Sequence, residues 1–222
     1  MFTRIIAPAV VCLLVFQTSR PANAEFIIDN FSAGAVISQF SAGSTTQTTV
    51  DASILGGSRE TTLNLPALGG AEFFGLVGFG PGLQMAQGVS DQINGSFLYD
   101  DFGSIDLTEG GSNFGFELEL LASDSVAPIT NAFSIRITSG GASSIVTFDL
   151  PGNSDVPSNV RVNFAEFGGI DLANIDSIEL LFDTASAPGT DLFIGGFSVI
   201  PEPASGFMVL VLTGLVYRRR RS

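Results

Sequence analysis

The 222-residue chain contains no histidine and no tryptophan, a single cysteine, two tyrosines and, among its nine cations, no lysine. Without histidine there is no imidazole base and none of the commonest zinc and copper ligand. Without tryptophan, and with Tyr99 the one tyrosine between residues 25 and 200, there is almost no ring of the kind that stacks on sugars. Positive charge is scarce in the same stretch: Arg59, Arg136 and Arg161 stand against 21 carboxylates, leaving −18. Such a surface repels nucleic-acid phosphates and anionic lipid, and it favours solubility and divalent cations.

What is present begins with two apolar ends. Arg4 precedes an apolar run from Ile5 to Phe16, then Pro21 and Ala22-Asn23-Ala24. A basic start, a twelve-residue apolar stretch and an Ala-x-Ala site are the parts of a secretory signal peptide, with cleavage expected before Glu25. The residues ahead of Cys12, Ala9-Val10-Val11, lack the leucine and small residues of a lipoprotein site. Cleavage would remove Cys12, so no disulfide is expected in the exported body. At the other end, Pro201-Glu202-Pro203 leads into an apolar run and then Arg218, Arg219, Arg220 and Arg221. As a helix, Ala204 to Tyr217 spans roughly 21 Å against a hydrocarbon core of about 30 Å, short for a permanent anchor. The arginines belong on the cytoplasmic side, which puts the body outside.

This Pro-Glu-Pro triplet, short apolar helix and arginine cluster, in that order, resemble the PEP-CTERM sorting signal of Gram-negative bacteria. The resemblance covers about a tenth of the chain. It implies an exosortase and the general secretion machinery as partners, an inner-membrane-anchored precursor cut near Pro203, and a product at the cell surface or outside it. It also implies an association with exopolysaccharide or biofilm. The expected organisation is therefore a signal peptide at 1–24, a body at 25–200 and a sorting signal at 201–222. The body is long enough for one domain with a sizeable core.

The body reads as all-β. Phe133, Ile135 and Ile137 alternate with Ser134, Arg136 and Thr138, and the same period of two runs from Phe114 to Leu120. Further strands are expected at 46–55, 59–65, 72–79, 83–89, 96–99, 144–150, 160–164, 175–182 and 191–200, separated mostly by Gly, Pro, Asn, Asp or Ser. No segment of the body sustains a helical apolar period over three turns, and the 26 glycines oppose long helices. Short strands joined by turn-rich loops predict a two-sheet antiparallel sandwich of jelly-roll type, its interior filled by seventeen phenylalanines. The segments 54–60, 105–114 and 175–180 resemble parts of the galactose-binding-like jelly rolls found among carbohydrate-binding modules. That resemblance implies a structural Ca²⁺ where the first strand meets the last, with Glu25, Asp29 and Asp191 as its carboxylates.

Three functions follow from this reading. The first is a non-catalytic surface or matrix protein. The second is a carbohydrate-binding module, with Tyr99 as a single stacking platform and Asp100 and Asp101 accepting sugar hydroxyls, against a plain strand-end tyrosine. The third is a carboxylate-dependent glycoside hydrolase built on Glu117 and Glu119, which share a strand face about 6.7 Å apart. Against the third stands the ordinary role of such glutamates on the solvent face of a strand whose Phe116, Leu118 and Leu120 face inward. No nucleic-acid partner is expected, and contact with the membrane is confined to the C-terminal segment before processing.

Overall fold

Period-two alternation becomes two antiparallel sheets in a computed structural model that describes residues 25–34, 37–39, 41–67, 74–78, 82–88, 92–152 and 157–202. The expected signal segment, including Ala22 and Ala24, and the tail with Pro203 and Arg218–Arg221 lie outside the described residues. The strands are β1 Phe26–Asp29, β2 Ile37–Gln39, β3 Gly43–Val50, β4 Ser58–Ala67, β5 Phe74–Gly78, β6 Leu83–Ala86 and β7 Gln92–Tyr99. They continue with β8 Asn113–Ser123, β9 Ile129–Ser139, β10 Ala142–Leu150, β11 Ser158–Asn163, β12 Ser177–Asp183 and β13 Leu192–Pro201. Two short 3₁₀ turns, Leu55–Gly57 and Phe164–Glu166, are the helical structure among the described residues.

The back sheet runs β11-β8-β13-β6-β5-β2, with β1 also paired to β13, and the front sheet runs β10-β9-β12-β7-β4-β3. Residues Glu25–Ile200 form one compact unit. Between the sheets lie Leu63, Leu65, Phe97, Phe133, Ile135, Ile137, Leu180 and Phe182 from the front, and Phe116, Leu118, Leu120, Ile194, Phe197 and Val199 from the back, all essentially without solvent exposure. Phenylalanine carries this interior through ring contacts. Phe97 meets Phe31 at 5.4 Å and Phe182 at 5.5 Å, and Phe116 meets Phe197 at 5.4 Å and Phe164 at 5.1 Å between centroids. Such offset and edge contacts add to burial without leaving polar atoms to satisfy.

Two local features set the geometry that matters below. The β9–β10 hairpin closes through Gly140 and Gly141 alone, both in the left-handed region at φ 56° and 83°, the two-residue turn whose twist matches paired strands. In β1, the register slips between Ile27, opposite Ser198, and Asp29, opposite Phe197. The bulge turns both Ile28 and Asp29 inward, a re-aiming that alternation alone would forbid.

The sequence-based expectations placed eleven of these thirteen strands, most within three residues at each end. Strands β1 and β2 were not among them: each is four residues or fewer, too short to display a period. The expected strand end at Phe164 is a 3₁₀ turn, closed by Asn163 and Glu166 acting on one another's backbone.

Candidate functional site

Outward-facing residues of the front sheet build a groove of about 680 Å³ that crosses its strands. Register explains its composition. Thr46 of β3 faces Thr62 of β4, Thr62 faces Ser96 of β7, Ser96 faces Leu181 of β12, Leu181 faces Ser134 of β9, and Ser134 faces Thr147 of β10. Five hydroxyls and one leucine thus form a single row across six strands. A second row beside it holds Asn64, opposite Asn94, opposite Asp183. Strands spaced about 4.8 Å apart make the floor from β4 to β10 roughly 19 Å long.

The rows are held by hydrogen bonds between their own side chains. Thr46 and Thr62 hydroxyls lie 3.1 Å apart, Ser134 and Thr147 hydroxyls 2.8 Å apart, and Asn64 Nδ2 donates to Asn94 Oδ1 at 3.0 Å. Asn131, at φ 54°, closes one end, where its backbone N–H donates to Asp149. Gly95 brings β7 close to its neighbours: a Cβ there would sit 2.1 Å from the Thr62 carbonyl and 2.6 Å from the Phe182 ring. Phe182 itself is covered, so no aromatic face opens into the groove.

The residues expected to bind a sugar are elsewhere. Tyr99 is fully buried, and its hydroxyl donates to Asp29 Oδ2 at 3.0 Å. A stacking platform needs an exposed ring, so Tyr99 is a core residue; burial, then the Asp29 charge, push its hydroxyl well above the usual tyrosine range. Asp100 and Asp101 are exposed at the end of β7, away from the groove, and Asp101 accepts a hydrogen bond from Ser58.

Nor does the proposed calcium set assemble. Asp29 is buried, ion-paired with Arg59 of β4, and also accepts the Phe31 N–H at 2.7 Å. Burial raises the Asp29 carboxyl's pKa, against the pull of Arg59 and these hydrogen bonds. Arg59 in turn donates to the Ala33 carbonyl at 3.0 Å and lies over the Phe31 and Phe97 rings. Glu25 accepts the Ser198 hydroxyl at 2.5 Å. Asp191 is at the opposite end of β13, about 20 Å along the strand from Phe197, the residue facing Asp29. There it accepts the Gln87 N–H at 3.1 Å, and its own N–H donates to Asp124 at 2.7 Å. Burial raises the Asp191 carboxyl, the Gln87 N–H opposes this, and the Asp124 charge adds to it. Among the described residues no group of three or more Asp, Glu, Cys or His side chains is placed to hold a metal.

Glu117 and Glu119 line a hollow of about 340 Å³ on the back sheet, with Glu25, Asn159 and Ser198. Glu117 is not a free surface carboxylate. Arg161, directly opposite on β11, donates to Oε2 at 2.6 Å, and Asn159 donates to Oε1 at 2.5 Å. Both of its oxygens are engaged as acceptors, which does not suit a general acid. Glu119 extends over Gly195. Of the expected sorting motif, Pro201 ends β13 and Glu202 is exposed.

No family model matches the chain, and no curated protein matches it in sequence. Solved structures similar to it include a family 11 carbohydrate-binding module of a cellulosomal cellulase of Clostridium thermocellum, at 16% identity over 80% of this chain and 95% of that one, with a TM-score of 0.40. An exo-beta-agarase matches at 12% identity over 81% of this chain and 25% of that one, with a TM-score of 0.45. A family 29 carbohydrate-binding module complexed with mannohexaose matches at 11% identity over 75% and 91%, with a TM-score of 0.35.

Proposed function

We propose that this all-β sandwich is a non-catalytic polysaccharide-binding protein that works outside the cell, and that the front-sheet groove is where it holds its ligand. The observation that carries this is the double row of hydroxyls and amides across five strands, ending in open solvent rather than in the core. Side-chain amides and hydroxyls both donate and accept, as sugar hydroxyls do, and a floor about 19 Å long suits an extended chain more than a single small molecule. The arrangement offers no activated nucleophile and no acid–base pair in the groove, which favours binding over turnover.

Export and sorting belong to the same proposal. The Ala22-Asn23-Ala24 site and the Pro201-Glu202-Pro203 signal act as removable routing labels, the second read by an exosortase, and the −18 body is delivered to the surface or to an extracellular matrix. The reading of the body as a jelly roll of the galactose-binding-like type belongs here too. It is supported by a chain path that repeatedly crosses between the two sheets.

Affinity electrophoresis of the full chain through gels containing soluble polysaccharides tests the binding. Retardation by at least one polymer, lost on Asn94→Ala and Thr62→Ala, is expected; migration unchanged in every gel would overturn it. Mass spectrometry of protein from the envelope and medium tests the routing, the expected species running from Glu25 to near Pro201.

A further inference from the structure

The groove's chemistry specifies which polysaccharides it accepts, an inference that rests on the binding function proposed above. We infer that the groove selects an uncharged polymer, laid across the strands and held by its hydroxyls, and rejects polymers bearing carboxylates or sulfates. Anion recognition is strongest at an unpaired cation, and each of the body's three arginines is already ion-paired with a carboxylate. Arg59 is buried on Asp29, Arg136 donates to Glu179 at 2.5 Å, and Arg161 donates to Glu117 at 2.6 Å. The charged side chain lining the groove is Asp183, and the next row along the sheet holds Glu60, Glu179 and Arg136, the last two paired with each other, so the face remains net negative. A uronate or sulfate in the groove would therefore meet a net excess of carboxylates of its own sign, and like charges brought together across an interface disfavour binding.

The neutral donors and acceptors are arranged for hydroxyls. When Asn64 Nδ2 donates to Asn94 Oδ1, Asn64 Oδ1 and Asn94 Nδ2 are left without a hydrogen bond to any described residue, an acceptor beside a donor on one rung. Two neighbouring hydroxyls of a sugar ring present the matching donor and acceptor. Leu181, midway along the hydroxyl row, gives the apolar face of one ring a place to rest. With no aromatic face in the groove, affinity comes from many weak polar contacts, and it therefore grows with chain length until the floor is spanned.

One neutral backbone tested with and without added charge separates this inference from the function beneath it. Soluble neutral glucans, mannans and galactans are screened by affinity electrophoresis with the full chain, and any that binds is compared with its carboxymethylated derivative. The charged derivative is expected to bind at least about tenfold more weakly, equivalent to 1.4 kcal/mol. Asp183→Asn, whose amide oxygen can still accept the Ala185 N–H that Asp183 holds at 2.8 Å, is expected to narrow that gap, read as the ratio of neutral to charged binding within the one variant. Equal binding of the two derivatives, or a gap unmoved in an Asp183→Asn protein with wild-type circular dichroism and melting, would overturn the selectivity and leave the polysaccharide function standing. Binding of no polymer of either kind would remove the function itself.

Discussion

Arg59 of the front sheet and Asp29 of the back sheet form an ion pair inside the sandwich, with essentially no solvent on either side chain. It ties β1, a four-residue strand with little ladder of its own, to the start of β4 in the opposite layer. Breaking such a pair from one side leaves an uncompensated charge in the core. Arg59→Met is expected to cost about 3–5 kcal/mol, while Arg59→Met combined with Asp29→Leu recovers most of the loss. Urea unfolding midpoints of the single and double variants decide this.

Tyr99 completes the same network. Tyr99→Phe removes one donor to a charged acceptor and is expected to cost about 1.5–3 kcal/mol in urea unfolding. Polysaccharide retardation should be unchanged. A Tyr99→Phe protein that stays fully stable but loses binding would return Tyr99 to the ligand site.

At Gly95 there is no room for even a methyl group, because the Thr62 carbonyl and the Phe182 ring occupy its place. Gly95→Ala is expected to push β4 from β7, lowering stability by about 1–3 kcal/mol and weakening the groove together with it. Thermal melting and gel retardation on the same preparation measure both effects.

Asp191 supplies a pH dependence. Its folded carboxyl titrates above the unfolded value of 3.8, so between the two pKa values the folded state holds more proton than the unfolded one. Stability from this group is therefore greatest below the unfolded pKa and falls as pH rises through the folded pKa. Asp191→Asn keeps an oxygen for the Gln87 N–H and is expected to flatten that part of the profile, matching or exceeding wild-type stability at neutral pH. Denaturation midpoints across the acid range test it.

Local order was legible where alternation ran long. Phe133-Ser134-Ile135-Arg136-Ile137 announced both the strand and its buried face, because each second side chain must enter the same layer. The groove was not legible, since Thr62, Ser96, Leu181, Ser134 and Thr147 come from five strands and become neighbours only through register. Tyr99 and Asp29 were misplaced for a related reason: a polar residue at a strand end reads as exposed until its partner is known, and Arg59 lies 30 positions away from Asp29. Glu117 shows the same effect, since its cross-strand partner Arg161 lies 44 positions on.

Strand β13 is flanked on both edges, by β8 on one side and by β6 and β1 on the other, and its last residue is Pro201. A load applied at that end acts along the strand direction within the sheet. To extract β13, such a force has to shear the ladders on both flanks together instead of opening them one bond at a time. The body is thus built to resist pulling through its C-terminal end, whereas β1, whose ladder is with β13 alone, depends on the Arg59–Asp29 ion pair as its second attachment.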